Sequence, residues 1–153
     1  MKKILLVTFC CFTLNSLICA QAANEKYDSV LAKKLGADDY GMKMYVFVIL
    51  KSGSNTMADK AKEDSVFQGH LNNISRLAAA GKLVLAGPFG KNDDHYSGIF
   101  IFNVSDLKEV KELLATDPAI QAKLLEPFMY PWYGTAALQE IPGLHKKIQK
   151  TNF

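Results

Sequence analysis

The sequence predicts an α+β domain whose strands and helices follow the order β-α-β-β-α-β. Three observations predict this order. Four short runs are rich in β-branched and aromatic residues, two amphipathic segments lie between them, and glycine or proline stands at several junctions. The order is the split βαβ pattern of a ferredoxin-like sheet, in which both helices lie on the same side of the sheet.

The first strand and the first helix have the clearest patterns. Residues 44–50, MYVFVIL, are apolar, β-branched or aromatic throughout, which predicts a strand. Residues 58–80 are predicted to form a long helix, because their apolar residues recur at intervals of three and four on one face. This face carries Phe67, Leu71, Ile74, Leu77 and Ala78. Gly81 follows at the position where a left-handed residue commonly ends a helix.

The second half of the pattern is built from shorter segments. Residues 82–86, KLVLA, and residues 99–104, IFIFNV, predict the second and third strands. Asp106, with Glu109 three residues later, has the form of a capping arrangement that opens a second helix. The residues expected to point inward from this helix are Leu107, Val110, Leu113 and Leu114.

Two further segments complete the predicted domain. The pair Asp117-Pro118 starts a short helix that extends through Leu125, because aspartate favours the N-cap and proline the first helical position. A last strand is expected within residues 127–138, with an interruption at Pro131.

Two of the strands are apolar on both faces, which bears on assembly. Residues 44–50 and 99–104 are nearly continuous apolar runs, whereas a strand with one solvated face alternates between apolar and polar residues. Helices cover only one side of a ferredoxin-like sheet. The other side is therefore expected to pack against the same face of a second subunit, which predicts a homodimer.

Residues 1–22 have the form of a cleaved secretory signal peptide. Two lysines supply a basic start, residues 4–20 are apolar with few interruptions, and Ala-Gln-Ala at 20–22 fits a signal peptidase. The apolar run is short for a membrane span, which needs about 20 residues. A lipid anchor at Cys19 is the alternative. The sequence thus predicts export, to the periplasm rather than the medium, and no membrane association after cleavage.

Cleavage would change the composition of the mature chain. All three cysteines, Cys10, Cys11 and Cys19, lie in the predicted signal peptide, so the mature chain would have no disulfide, thiolate nucleophile or cysteine-bound metal. Loss of Lys2 and Lys3, without any acidic residue, lowers the net charge from +3 to +1. A surface this close to neutral argues against nucleic acid as a partner.

The mature chain of 131 residues is long enough for one domain with a single core. Residues 23–41 are mixed and polar, and they are expected to form a linker or a short, weakly packed helix. The domain is expected to span residues 42–138. Residues 139–153 are expected to form a C-terminal tail with an exposed turn of helix.

His70 is a polar residue on the apolar face of the predicted long helix. It lies three residues after Phe67 and four before Ile74, so it points toward the core. Two interpretations fit this spacing. One is a neutral imidazole that transfers protons at a pocket wall, and the other is a core histidine bonded to the backbone. Gly69 costs the helix about 1 kcal/mol relative to alanine, which fits a turn that another segment approaches closely.

Asp117 also has two interpretations, and they do not exclude each other. It is expected to cap the helix that begins at Pro118. A carboxylate can also fix the tautomer of a histidine and raise its basicity. Because both helices of the pattern lie on the same side of the sheet, contact between His70 and Asp117 is geometrically available.

The remaining candidates are weaker. Trp132 and Tyr133 either line an aromatic-friendly pocket or anchor the core or a dimer interface. Asp93, Asp94 and His95 share one polar loop, where ordinary turn chemistry explains them, so no metal site is predicted. The sequence contains no phosphate-binding glycine loop, no serine-hydrolase elbow and no zinc-protease motif, and no cofactor is predicted.

The ordered motifs resemble the YCII-related (YciI-like) family over about residues 43–138. The resemblance rests on HLNNISRLAAAGKLVLAGPF, a Gly-Ile-Phe-Ile strand, TDPAIQAKLLE and PWYG, in that order. It implies a ferredoxin-like fold assembled as a dimeric α/β barrel, and a site that uses a histidine and an aspartate, which correspond to His70 and Asp117. It also implies kinship with barrel enzymes such as muconolactone isomerases, and elimination chemistry on ring compounds.

Together with the predicted signal peptide, the resemblance implies an exported lyase or isomerase that acts without a cofactor on a small, cyclic or aromatic metabolite. His70 would move the proton, Asp117 would orient or charge-stabilise the imidazole, and Trp132 or Tyr133 would shape the pocket. The alternatives are a non-catalytic dimer that binds a small ligand and a structural interaction domain. An enzyme or a binding protein needs an open cavity at His70, whereas a structural domain does not.

Overall fold

A computed structural model describes residues 26–151 of the chain, so the predicted signal peptide lies outside the described residues. The predicted ferredoxin-like α+β order is confirmed, with added helices at both ends and a short helix before the last strand. The elements in chain order are α1 (Ser29–Leu35), β1 (Met42–Ser52), α2 (Lys60–Ala79), β2 (Leu83–Pro88), β3 (Tyr96–Phe102), α3 (Leu107–Leu114), α4 (Pro118–Gln121), β4 (Leu125–Thr135), a 3-10 helix (Ala136–Glu140) and α5 (Ile141–Ile148).

The four strands form one antiparallel sheet with the order β2-β3-β1-β4. The register places Val48 of β1 opposite Phe100 of β3 on one side and opposite Met129 of β4 on the other. Directly opposed residues project to the same face of a sheet, whereas successive residues along a strand alternate. Val48, Phe100 and Met129 therefore form a row across one face.

The face that carries this row packs against α2, α3 and α4, and we call it the helix face. The main hydrophobic core lies between these helices and the sheet. Its buried residues are Val46, Val48, Leu50, Leu77, Leu83, Phe100, Phe102, Val104, Val110, Leu114, Ala119 and Leu125. Burial of these side chains holds α2 and α4 on the same side of the sheet, which is the placement that the candidate site requires.

The opposite face of the sheet, which we call the open face, is covered only at one end by the described residues. There Tyr45, Val84 and Ile101 form a second buried cluster, against which Leu138 of the 3-10 helix packs. The rest of this face carries apolar side chains that are half-buried or exposed. On β1 and β4 they are Phe47, Ile49, Phe128, Tyr130 and Trp132.

The segments before β1 and after β4 are joined to each other. Part of the stretch at residues 23–41 forms α1, which ends at Gly36 in a left-handed conformation. The Gln139 side-chain amide donates to the Leu35 carbonyl at 2.6 Å, and Lys34 pairs with Glu140 at 3.1 Å. Helix α5 contains no buried residue. The tail is thus attached mainly through the 3-10 helix.

Several predicted details differ from the structure. The interruption at Pro131 is absent because β4 is an edge strand, where half of the N–H groups face away from the ladder and proline is tolerated. The helix after Asp117 ends at Gln121 instead of Leu125. Leu107 was predicted to point inward, but it is 39% exposed in the first turn of α3. Gly81 takes the predicted left-handed conformation, with φ of 68°.

Candidate active site

His70 and Asp117 are in direct contact, although they lie 47 positions apart in the sequence. His70 Nδ1 is 2.7 Å from Asp117 Oδ2. His70 lies near the middle of α2, and Asp117 is the N-cap residue of α4. The two helices meet on the helix face of the sheet, so the fold forms the contact that its topology makes available.

The imidazole of His70 is held by two aromatic rings. It stacks on Phe100 of β3, with ring centroids 5.9 Å apart and an angle of 27° between the planes. Phe67, which lies almost one turn earlier in α2, approaches edge-on at 6.1 Å. The His70 side chain is 11% exposed. These contacts restrict rotation of the imidazole and keep Nδ1 directed at Asp117.

Both carboxylate oxygens of Asp117 are used. Oδ1 accepts the backbone N–H of Ala119 at 2.9 Å, which caps α4. Oδ2 accepts from His70. The Asp117 side chain is only 1% exposed. The carboxylate is therefore a helix cap and a histidine partner at the same time, so the two interpretations of this residue describe one geometry.

The hydrogen bond to Asp117 determines which nitrogen of His70 is free. An ionised carboxylate only accepts, so Nδ1 carries the proton and Nε2 of the neutral ring carries a lone pair. Nε2 has no hydrogen-bond partner among residues 26–151. Every fully buried side-chain nitrogen or oxygen in that range does have a partner, so Nε2 is not fully buried. Nε2 therefore keeps contact with solvent. It can take a proton, and the carboxylate can stabilise the resulting imidazolium.

Asn73 is a further buried neighbour of the pair, and it is not among the predicted site residues. Its Nδ2 lies 3.5 Å from Asp117 Oδ2, and its Oδ1 accepts from Arg76 Nη2 at 2.7 Å and from Thr116 Oγ1 at 3.1 Å. One signal for Asn73 is present in the sequence. It lies three residues after His70, which places it on the same face of α2.

Trp132 and Tyr133 do not share a pocket with His70 within one subunit. Trp132 lies on the open face, where its indole contacts the rings of Tyr45 and Phe47. His70 lies on the helix face, on the other side of the sheet. Tyr133 projects from β4 toward the helix-face side and donates its hydroxyl to Asp38. Trp132 and Tyr133 therefore project to opposite faces of the sheet, and their roles as pocket residues or as interface anchors stay predictions.

Two surface cavities lie apart from the pair. A cavity of about 340 Å³ opens between the end of α2, β2 and the tail, and one of about 380 Å³ opens beside the start of β4. Neither is lined by His70 or Asp117. Within residues 26–151, no three histidine, cysteine, aspartate or glutamate side chains converge to hold a metal ion. None of the helices described there is long and apolar enough to cross a membrane.

Shifted pKa values mark contacts between separate segments of the chain. Hydrogen bonds from Tyr133 and from the Met42 backbone lower the pKa of Asp38. The same bond to Asp38 raises the pKa of Tyr133 to about 12. Burial lowers the pKa of Lys43, whose Nζ donates to Asn103 Oδ1 at 2.7 Å. These groups tie chain segments together and lie outside the His70–Asp117 pair.

The fold and the site define a class of protein: a ferredoxin-like domain with a buried histidine–aspartate dyad that reaches solvent through one imidazole nitrogen. Residues 44–129, more than half of the chain, match the YCII-related domain. The chain belongs to the YCII-related family. His70 and Asp117 both lie within the matched residues.

The chain is similar to a solved structure of 5-chloro-2-hydroxyhydroquinone dehydrochlorinase (TftG) from Burkholderia phenoliruptrix AC1100 in complex with 2,5-dihydroxybenzoquinone. It is 21% identical, with a TM-score of 0.41, and the alignment covers 57% of this chain and 92% of that chain. A comparison with proteins of curated function gives no match.

Proposed function

We propose that this YCII-related domain is a lyase or isomerase that acts without a cofactor on a small, cyclic or aromatic metabolite. His70 acts as the general base and acid, and Asp117 orients its imidazole. The observation that carries this proposal is the 2.7 Å contact between His70 Nδ1 and Asp117 Oδ2, which leaves Nε2 unpaired and in contact with solvent.

The first step of the proposed reaction is proton transfer from carbon to nitrogen. Nε2 of His70 takes a proton from a carbon next to a carbonyl or a similar electron-withdrawing group. The electron pair of the broken C–H bond stays on the substrate as an enolate. Asp117 faces the imidazolium that forms, and attraction between these opposite charges is stronger in a site with little water than in solvent.

The enolate can then follow either of two paths. In a lyase, its electron pair forms a double bond and expels a leaving group from the adjacent carbon, and the imidazolium later releases its proton to that group or to water. In an isomerase, the imidazolium returns its proton to a different carbon of the same molecule. Both paths restore neutral His70 and balance without an oxidant or a reductant.

A structural role for the pair is the second candidate, and one observation favours it. His70 and Asp117 are both buried, and the two cavities described above are lined by neither of them. A pair that only joins α2 to α4 needs no ligand. A domain that binds a small ligand without turnover would need the same access to Nε2 as an enzyme.

Turnover by a variant of His70 separates these candidates. The probe panel contains halogenated dihydroxybenzenes and unsaturated lactones, followed by ultraviolet absorbance and halide release. His70→Asn keeps a side-chain N–H for Asp117 but has no basic nitrogen, so turnover should fall by about 10²-fold or more. Circular dichroism checks that the variant is folded. Equal turnover in the variant would contradict the proposal, and ligand binding without any turnover would favour the binding role.

We also propose that the domain assembles as a homodimer through the open face. Apolar side chains remain half-buried or exposed on this face beyond the end that Leu138 covers. A two-fold symmetric contact pairs a patch with its own copy, so a second subunit offers a matching apolar surface. Aromatic residues such as Tyr130 and Trp132 are typical anchors of such contacts. Sedimentation of the mature protein should give the mass of two chains, and a monomer at micromolar concentration would contradict this assembly.

Export is the third part of the proposal, and it rests on the sequence of residues 1–22. Protein recovered from the native host should begin near residue 23, or after Ala20 if the alternative site is used. N-terminal sequencing measures this directly. An intact Met1 on cytosolic protein would contradict export, and a lipid on Cys19 would replace free export to the periplasm with anchoring.

A further inference from the structure

We propose that Asn73 is a positioning residue that keeps the carboxylate of Asp117 directed at His70. The inference rests on the proposed function, because it concerns the same dyad. Asn73 is 7% exposed and lies on the face of α2 that carries His70. Its side chain stands between Asp117 on one side and Arg76 with Thr116 on the other.

The orientation of the Asn73 amide follows from its contact with Arg76. A guanidinium group only donates hydrogen bonds, so the atom of Asn73 that lies 2.7 Å from Arg76 Nη2 must be the oxygen. The amide nitrogen is therefore directed at Asp117 Oδ2, at 3.5 Å. An inverted amide would place two donors together at Arg76 and two acceptors together at Asp117, so electrostatics excludes it.

This orientation gives the carboxylate of Asp117 a third donor. Ala119 donates to Oδ1, His70 donates to Oδ2, and the Asn73 amide faces Oδ2 from a second direction. The distance of 3.5 Å is at the outer limit of a hydrogen bond, so the contact acts mainly as a dipole directed at the charge. It opposes rotation of Oδ2 away from His70. The Nδ1–H tautomer, which leaves Nε2 as the acceptor, is thereby favoured.

Arg76 and Thr116 hold Asn73 in this orientation. Arg76 Nη2 also donates to Thr116 Oγ1 at 2.8 Å, and the Thr116 hydroxyl lies within reach of Asn73 Oδ1. Thr116 immediately precedes Asp117 in the chain. The contacts thus link the α2 segment beside His70 to the turn that carries Asp117, and Asn73 acts on the imidazole through Asp117 without touching the reacting nitrogen.

The tautomer of His70 tests this inference without any substrate. Long-range proton–nitrogen NMR spectra of protein labelled with ¹⁵N-histidine distinguish Nδ1–H from Nε2–H in the neutral ring. Asn73→Asp has nearly the same shape and keeps an oxygen for Arg76, but it replaces the donor that faces Asp117 with an acceptor. Asn73→Ala removes the amide. The matched control is Asn72→Ala, since Asn72 is exposed and its side chain contacts Gln68 on the helix surface.

The wild type and Asn72→Ala should both show the Nδ1–H tautomer. In Asn73→Ala the ratio of Nε2–H to Nδ1–H should rise about twofold, the lower end of what an ordinary hydrogen bond contributes, because the contact is long. Asn73→Asp should shift His70 toward the doubly protonated imidazolium, because a second carboxylate then stands beside Asp117. An unchanged ratio in folded Asn73 variants would overturn the inference.

A second variant keeps the test decisive if the Asn73 variants do not fold. Arg76→Met removes the guanidinium from the exposed surface of α2 and leaves Asn73 in place, so it should move the tautomer ratio in the same direction by a smaller factor. No shift in folded Arg76→Met would overturn the inference. A wild type with the Nδ1–H tautomer but no turnover would reject the proposed function and leave the role of Asn73 standing.

Discussion

Gly69 of α2 packs against Pro118 of α4 so closely that a β-carbon added to Gly69 would lie 3.0 Å from the Cγ of Pro118. Gly69 directly precedes His70, and Pro118 directly follows Asp117. The absence of a side chain at Gly69 lets the two helices approach until imidazole and carboxylate meet. Gly69 has a low helix propensity, and it is the residue of α2 that Pro118 of α4 approaches closely.

Replacing Gly69 by alanine should therefore destabilise the protein despite the better helix propensity of alanine. The propensity gain is about 1 kcal/mol, whereas overpacking typically costs about 1–3 kcal/mol. We expect the free energy of unfolding in urea to fall by about 1 kcal/mol, the difference between these terms. The control is Gly143→Ala in α5, where an added β-carbon meets no neighbouring heavy atom. If Gly69→Ala instead raised the free energy of unfolding as much as Gly143→Ala does, α2 and α4 would have room for an added methyl group.

The His70–Asp117 contact should appear as a coupling energy in a double-mutant cycle. The variants are His70→Ala, Asp117→Ala and the double variant, each measured by urea unfolding. Loss of the N-cap at Asp117 cancels in the cycle, because it occurs in both arms. A hydrogen bond to a charged group predicts a coupling of about 1.5–3 kcal/mol. Additivity within about 0.5 kcal/mol would mean that the two side chains do not stabilise each other.

A charge placed on the open face should dissociate the proposed dimer. Ile49 is half-buried there, and Ile49→Lys would place an ammonium group in an apolar interface, which is costly unless it is paired. The matched control is Leu71→Lys on α2, where leucine is already 36% exposed on the other side of the sheet. Analytical ultracentrifugation should show a monomer for Ile49→Lys and a dimer for Leu71→Lys. Two dimers, or two monomers, would exclude the open face as the interface.

The Tyr133–Asp38 bond should contribute stability only in a defined pH range. The pKa of Tyr133 is raised from 10.0 to about 12, so its contribution is complete below pH 10 and is lost as the pH rises toward 12. The lowered pKa of Asp38 gives the opposite limit, since that contribution disappears as the pH falls below the ordinary value of 3.8. Burial also raises the pKa of Tyr45, so tyrosinate absorbance should show more than one late-titrating group, of which Tyr133→Phe removes the group with a pKa of about 12. In Asp38→Asn this group should titrate closer to pH 10, and an unchanged titration would contradict the bond.

The order of strands and helices could be predicted from the sequence because the signals for each element are local. The apolar run of residues 44–50 and the three-and-four spacing of α2 depend only on neighbours in the chain. Pro131 shows the limit of this approach, because tolerance of proline depends on whether a strand lies at the edge, and the order of the sheet is not a local property. Asn73 shows the same limit, since its partner Thr116 comes from a segment that only the fold brings near.

The opposite orientations of Trp132 and Tyr133 could also be predicted, because the alternation of side chains along a strand is a local signal. Successive side chains of a strand point to opposite faces of the sheet, so only one of these two residues can project to the face against which the helix of His70 packs. The contact of His70 with Asp117 could be predicted from the topology, which made it available, together with the family resemblance, which singled out these two residues. Its distance could not, because it depends on the close packing of Gly69 against Pro118.

The central claim is that Nε2 of His70 is an unprotonated nitrogen that small molecules can reach, and diethyl pyrocarbonate tests it most directly. This reagent acylates accessible, neutral imidazole, and peptide mass mapping locates the product. The chain has three histidines, and the exposed His95 and His145 serve as internal standards. We expect His70 to be acylated in the folded protein despite its burial. Complete modification of His95 and His145 with no modification of His70 would contradict the claim, and would leave His70 as a sealed structural residue.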